Sequence, residues 1–294
     1  VTALFREPLL KTLAYHDLFD FPLTEAEIYR WLISSERAAP STLAKSLAKL
    51  VSEGVVVQEK GYYCLAGREE IIPLREARQK ISSSKRRRAR VLSWLARGVP
   101  WVQLVAVTGR VAVANSDWED DIDWLVVTSP RRLWLSRLLL VSLLRLTSQY
   151  RRPQQFTNKI CPNVWLTSDH LKAAKASRDL FLAHEIAQLD VLWQRRGVKA
   201  LFFRENGWVE KFLVHALIDQ NDLPHQALRS KRLPLVGQAL NLLERVAGWA
   251  QKRRMASKIT SETIADSALH FQTHDNREWI LPAYRRRLER LGLA

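Results

Sequence analysis

Asp121-Ile122-Asp123 stands at the head of an apolar run, Trp124-Leu125-Val126-Val127, and constrains this chain more than any other triplet in it. Side chains alternate faces along a strand, so the two aspartates share one face roughly 7 Å apart, and Ile122 and Trp124 take the other. Side-by-side carboxylates on a sheet repel one another unless solvent or cations neutralise them. Hard divalent cations with oxygen ligands do so, and magnesium sites use one or two carboxylates together with substrate phosphates. Two such ions about 4 Å apart clamp the attacking and leaving oxygens of a phosphoryl transfer. Upstream, a second apolar run, Val102 to Val107, ends in the turn Thr108-Gly109-Arg110. Asp117, Glu119 and Asp120 fill the interval between them. The alternative reading is a surface β-hairpin with an acidic loop. Acid concentrated at one place in a chain of net charge +16 argues against it.

A strand, a glycine turn, an interval of about ten residues and then Asp-x-Asp opening the next strand resembles the nucleotidyltransferase superfamily, typified by DNA polymerase beta and the CCA-adding enzymes. The resemblance implies that Asp121 and Asp123 hold Mg²⁺ or Mn²⁺, and that the Gly109 turn holds the triphosphate of an NTP substrate. Two positions depart from the family pattern. Arg110 stands where a small residue is usual, although its guanidinium fork suits a phosphate. The third carboxylate, expected on a later strand, falls at Asn163 in Lys159–Leu166. An amide there can ligate a metal but carries no charge. Glu185, set among apolar residues, is a candidate for the missing carboxylate, with helix capping or pairing to Arg178 or His184 as its alternatives.

The chain has 294 residues and 47% hydrophobic content, enough for two or three domains with real cores. The cationic excess favours a polyanionic partner, most often nucleic acid. Cys64 and Cys161 lie far apart without metal-ligand spacing, which fits a reducing compartment. The seven histidines show no metal spacing either. The start of the chain has no apolar core with a cleavage site. Arg137 and Arg145 interrupt the most apolar stretch, Leu133 to Leu146, which is too short to span a bilayer and reads as a buried amphipathic helix. A cytoplasmic protein with no membrane partner is expected.

An α+β organisation in four parts follows. Residues 1–67 hold three helical segments and a terminal hairpin, with a capping box at Thr24 and Glu27. They resemble a winged helix-turn-helix whose third helix offers Lys45, Ser46, Lys49 and Ser52, with Lys60 in the turn. Residues 68–99 form a linker that becomes a basic helix carrying Arg86, Arg87 and Arg88. These cations are candidates for phosphate-backbone contact; a solvated helix face is the alternative. Residues 100–168 form a small mixed-sheet nucleotidyltransferase core, with Arg151, Arg152 and Lys159 flanking its third strand. Residues 169–294 read as mostly helical, with a helix capped at Ser168-Asp169 and running through Ala176, another from Pro234 to Met255, Asn206, Trp208 and Lys211 as candidates for a nucleotide-cleft wall, and core packing as the alternative for Trp208.

The function expected is metal-dependent transfer of an NMP or dNMP from a nucleoside triphosphate to a hydroxyl, on a nucleic acid such as an RNA 3′ end. Two alternatives stand beside it. One is a catalytically weak or inactive nucleic-acid-binding winged-helix protein. The other is nucleotidylation of a small molecule or protein.

Overall fold

The computed structural model describes residues 5–195, 197–218, 234–255, 263–271 and 276–293. It is a mixed α+β protein with two sheets and a largely helical C-terminal region.

The first module begins with α1 (Arg6–Asp17), β1 (Leu23–Thr24), α2 (Glu25–Arg30) and α3 (Pro40–Ser52), and closes with β2 (Val56–Glu59) and β3 (Tyr62–Leu65). Thr24 and Glu27 make the reciprocal capping box, fixing where α2 starts. Lys60 and Gly61 both have positive φ, 51° and 82°, as a two-residue hairpin turn between right-twisted strands requires. Leu9, Leu13, Ile28, Leu43, Leu47 and Leu50 are buried at helical spacing. The strands form a small sheet in the order β1-β3-β2.

The long helix α4 (Ile71–Arg97) leads into a six-stranded sheet. Its strands are β4 (Val102–Val107), β5 (Ile122–Thr128), β6 (Ile160–Thr167), β7 (Asp190–Gln194), β8 (Thr263–Ile264) and β9 (Ala268–His270). Their order is β7-β4-β5-β6-β9-β8. Only β5 and β6 run parallel, and the helix α6 (Leu133–Leu146) makes that crossover. Strand parity divides the side chains. Val105, Val107, Ile122, Trp124, Val126 and Trp165 pack with residues of α4, α6 and the helix α9 (Pro234–Met255). Leu104, Ala106, Leu125, Val127 and Val164 enter the opposite cluster, shared with α7 (Leu180–Ala187), α8 (Val198–Glu205), α10 (Arg277–Arg290) and the whole first module. Each large apolar side chain so buried contributes on the order of 2 kcal/mol.

The first module therefore sits on the sheet rather than beside it. Tyr15 of α1 stacks on His184 of α7 at 4.1 Å. The backbone of Ala38 donates to His215 Nε2, and Asn115 Nδ2 donates to the Phe19 carbonyl.

Two expectations change. The region 169–294 sends strands back to both edges of the sheet, β7 at one and β9 with β8 at the other. These strands have two to five residues, too short to show a period of two. The helix expected from Ser168 through Ala176 reduces to a 3-10 turn at Lys175–Ser177. As expected of an amphipathic helix, α6 buries one side, with Leu133, Leu140 and Leu144, and exposes Leu138, Leu139 and Leu146.

The cations of α4 point inward as well as outward. Lys85 is buried, and its ammonium donates to the carbonyls of Asp117 (2.6 Å) and Asp120 (2.5 Å). Arg78 donates to Asp117 at 2.9 Å, and Arg75, also buried, bridges Glu27 and the carbonyls of Val113 and Ala114. The acidic loop is thus strapped to the helix. Lys85→Met leaves two carbonyls without their donor, so it is expected to lower unfolding free energy by about 2 kcal/mol, read as a reduced urea midpoint with unchanged slope.

Candidate metal-binding carboxylate site

Asp121 and Asp123 occupy the entrance of β5 on the face that Leu125 and Val127 continue. Four neighbours define their surroundings. Gly109 opens the short helix α5 (Gly109–Ala112) with φ +60°, and a Cβ there would lie 3.6 Å from Asp123 Oδ2. The backbone N–H of Thr108 donates to the Asp123 carbonyl at 3.0 Å, pinning the turn to the strand. Across the parallel pairing, Cys161 is the partner of Asp123. Ligand atoms of Asp121, Asp123 and Cys161 lie within 4.8 Å of one another.

The fourth neighbour owes its place to a bulge. Trp124 pairs with Pro162 and Leu125 with Val164, so Asn163 is the extra residue of β6. Pro162 lacks the N–H that a regular central strand would use, and the bulge accommodates it. Asn163 Nδ2 donates to Asp123 Oδ1 at 2.8 Å, whereas its buried Oδ1 has no partner among the described residues.

Negative charge is costly here. Burial first, then the charges of Asp121 and Glu185, push the Asp123 carboxyl up to about 7. Burial alone pushes Glu185, on α7, to about 7. Asp121 is raised by burial, against the opposing pull of Arg151, whose Nε lies 2.6 Å from its Oδ2. The Cys161 thiol is held far above its ordinary range by burial and by both aspartates, so it stays protonated. Oxygen donors around a protonated thiol suit a hard divalent cation better than a soft one. The orphaned Asn163 oxygen is a further unused acceptor beside Asp123. Asp121, Asp123 and Cys161 form a possible metal-binding group, and the charge of Glu185 is felt at Asp123. Cys161 was not anticipated; its signal was its place two residues before Asn163, on the same face of one strand.

The remaining candidates are placed differently. Arg110 turns its guanidinium onto the acidic loop, with Asp117, Asp120 (3.1 Å) and the Asn115 carbonyl (3.1 Å), and so closes that loop rather than facing the carboxyl corner. Arg86 pairs with Asp190 and donates to the Ala112 carbonyl, each at 2.7 Å, as an internal strut. Arg88 donates to Gln149, Lys49 approaches Glu53, and Lys60 approaches Glu76. Lys45 and Arg87 are exposed on α3 and α4. Ser46 is buried and donates to the Thr42 carbonyl, so it does not belong to the polar side of α3. Lys159 donates to the Ser148 carbonyl. Asn206 is fully buried and latches Leu171, Ala173 and Trp208, and Trp208 lies in the core. Neither contributes a cleft wall. Glu185 pairs with neither Arg178 nor His184 among the described residues.

No helix among the described residues is long and apolar enough to cross a membrane. No protein-family model, no curated protein and no solved structure matches this chain.

The raised carboxyls fix the sign of a pH dependence. Asp123 and Glu185 bind protons more tightly folded than unfolded. Their contribution to stability is complete below their ordinary values, near pH 4, and is lost as pH rises through about 7. Metal-free protein should therefore melt progressively lower from pH 4 to 7.5. Asp123→Asn should flatten that decline, and millimolar Mn²⁺ should raise the melting temperature more at pH 8 than at pH 5. Melts in EDTA and in Mn²⁺ at each pH check this.

Proposed function

We propose that the chain is a metal-dependent nucleotidyltransferase, with β4 to β6 as its nucleotidyltransferase core and the first module as a winged helix. The observation that carries this reading is the carboxyl corner itself. Asp121, Asp123 and Cys161 come together beside a glycine turn, with the charge of Glu185 acting on Asp123 and the Asn163 oxygen unpaired, and among the described residues no cation pairs directly with Asp123. A divalent cation bound there would neutralise developing charge on the phosphates and orient the leaving pyrophosphate.

The residues have separable roles in this reading. Asp121 and Asp123 supply charged oxygens, and Asn163 holds Asp123 in one rotamer through its 2.8 Å hydrogen bond. Gly109 keeps the turn free of a side chain, so that phosphates can approach the backbone. Glu185 acts on the corner from α7 and, near neutral pH, exchanges a proton readily enough to take one from an attacking hydroxyl. Arg151 is half exposed on Asp121, placed to exchange that carboxylate for a substrate phosphate when a cation takes its place. The acceptor is a nucleic acid, favoured by the net charge of +16 and by exposed Lys45 and Arg87.

A second reading is a nucleic-acid-binding protein without turnover. The engagement of Arg110 by Asp117 and Asp120 favours it, since that guanidinium is not free for a triphosphate.

The deciding experiment offers each labelled NTP and dNTP, with Mg²⁺ or Mn²⁺, to pools of tRNA, single-stranded RNA and single-stranded DNA. Label is expected in one pool, with a loss of at least about a hundredfold in the Asp121→Asn/Asp123→Asn variant. Tight, salt-sensitive binding without label would instead establish the second reading.

A further inference from the structure

A cleft among the described residues lies away from the carboxyl corner. Its volume is about 810 Å³, and it opens where α6 and α9 meet the far ends of β5 and β6. Thr167 lines it, and Thr167 pairs with Thr128, five residues along β5 from Asp123 and so roughly 17 Å away. A volume of this size suits a small organic molecule.

The walls are firmly set. Gly248 of α9 lies against the Trp134 ring so closely that a Cβ would meet Trp134 Cδ1 at 2.9 Å. Glu244, buried, accepts from the backbone N–H groups of Trp134 (2.7 Å) and Leu135 (3.0 Å) and so caps the start of α6. Gln251 donates to the Trp134 carbonyl at 2.9 Å. The two helices are therefore locked in register along the cleft.

The formal charges of the wall cancel, Arg131, Arg245 and Lys252 against Asp169, Glu244 and Asp266, but the acids and the arginines are not equally engaged. Each acid in the wall already has a partner: Glu244 has the α6 backbone, Asp266 has Lys252 (2.7 Å) and the Trp134 indole (3.0 Å), and Asp169 has His170 (3.2 Å). Arg131 and Arg245 line the same cleft, and among the described residues neither has a carboxylate partner. Arg131 adopts φ +58°, a left-handed conformation costly for a long side chain, at the turn that leads to α6. Beside these two guanidiniums stands Trp249, 65% exposed, with Arg253 over its ring at 5.7 Å. Guanidinium forks match carboxylate or phosphate, and an exposed indole matches a flat ring.

We propose that this cleft binds a small anion carrying a planar ring, the class to which mononucleotides belong, at a site separate from the carboxyl corner. The anion lies against Arg131 and Arg245, and the ring lies on Trp249. The site requires no metal, because Arg131 and Arg245 supply the positive charge that meets the anion.

AMP is the probe, titrated in EDTA by calorimetry and tryptophan fluorescence into the full chain, with adenosine and ribose 5-phosphate as controls. Saturable AMP binding is expected, at least tenfold tighter than either control and weakened by salt. Arg245→Gln and Trp249→Leu, both at exposed positions, should each weaken it at least tenfold with an unchanged melting temperature. Asp121→Asn/Asp123→Asn should leave it intact, so this test succeeds or fails independently of transferase activity. The proposal is overturned by absent saturable binding, by equal binding of adenosine, by indifference to the Arg245 and Trp249 substitutions, or by loss in the aspartate variant.

Discussion

Two carboxyl groups share one largely buried corner, the charge of a third, Glu185, reaches them, and that charge has to be balanced by something. Most of the structure around β5 follows from that constraint. Arg151 answers Asp121 from outside. Asn163, set in place by the bulge at Pro162, offers Asp123 a neutral donor instead of a cation. Burial is the first cause that pushes Asp123 and Glu185 up to about 7. The same cost is what a cation bound in the proposed site would offset.

The same balance explains the basic helix. In a chain of net charge +16 the cations of α4 read as a surface for an anionic partner, yet several are used internally. Lys85, Arg78 and Arg75 hold the 113–120 segment, and Arg86 ties α5 to β7. That segment joins the glycine turn to the paired aspartates. Anchoring it fixes the distance between Gly109 and Asp123 without a regular element to do so. Arg110 completes the clasp from inside the loop.

Much of this was legible in the sequence, and the limits have physical causes. The capping box at Thr24, the Lys60-Gly61 turn and the length of α9 were readable because each depends on local backbone chemistry. The shared face of Asp121 and Asp123 was readable from strand parity. The inward direction of Lys85 was not, because a run of cations looks the same on either side of a helix until its neighbours are known. Strands β7, β8 and β9 escaped because pairs of two to five residues gain their stability from an existing sheet edge rather than from their own pattern. Glu185 was visible only as an acid among apolar residues; that its charge is felt at Asp123 depends on how α7 docks. The cleft at Trp249 was invisible, since its walls come from segments more than a hundred residues apart.

The stacking of Tyr15 on His184 has a consequence for Glu185. His184 and Glu185 are consecutive residues of α7, and Tyr15 belongs to α1 in the first module. The rings are buried and nearly parallel, 9° apart, so little slack remains between them. One ring contact and one peptide bond therefore separate α1 from Glu185, so a change of side chain at Tyr15 is also a change beside the helix that carries that acid.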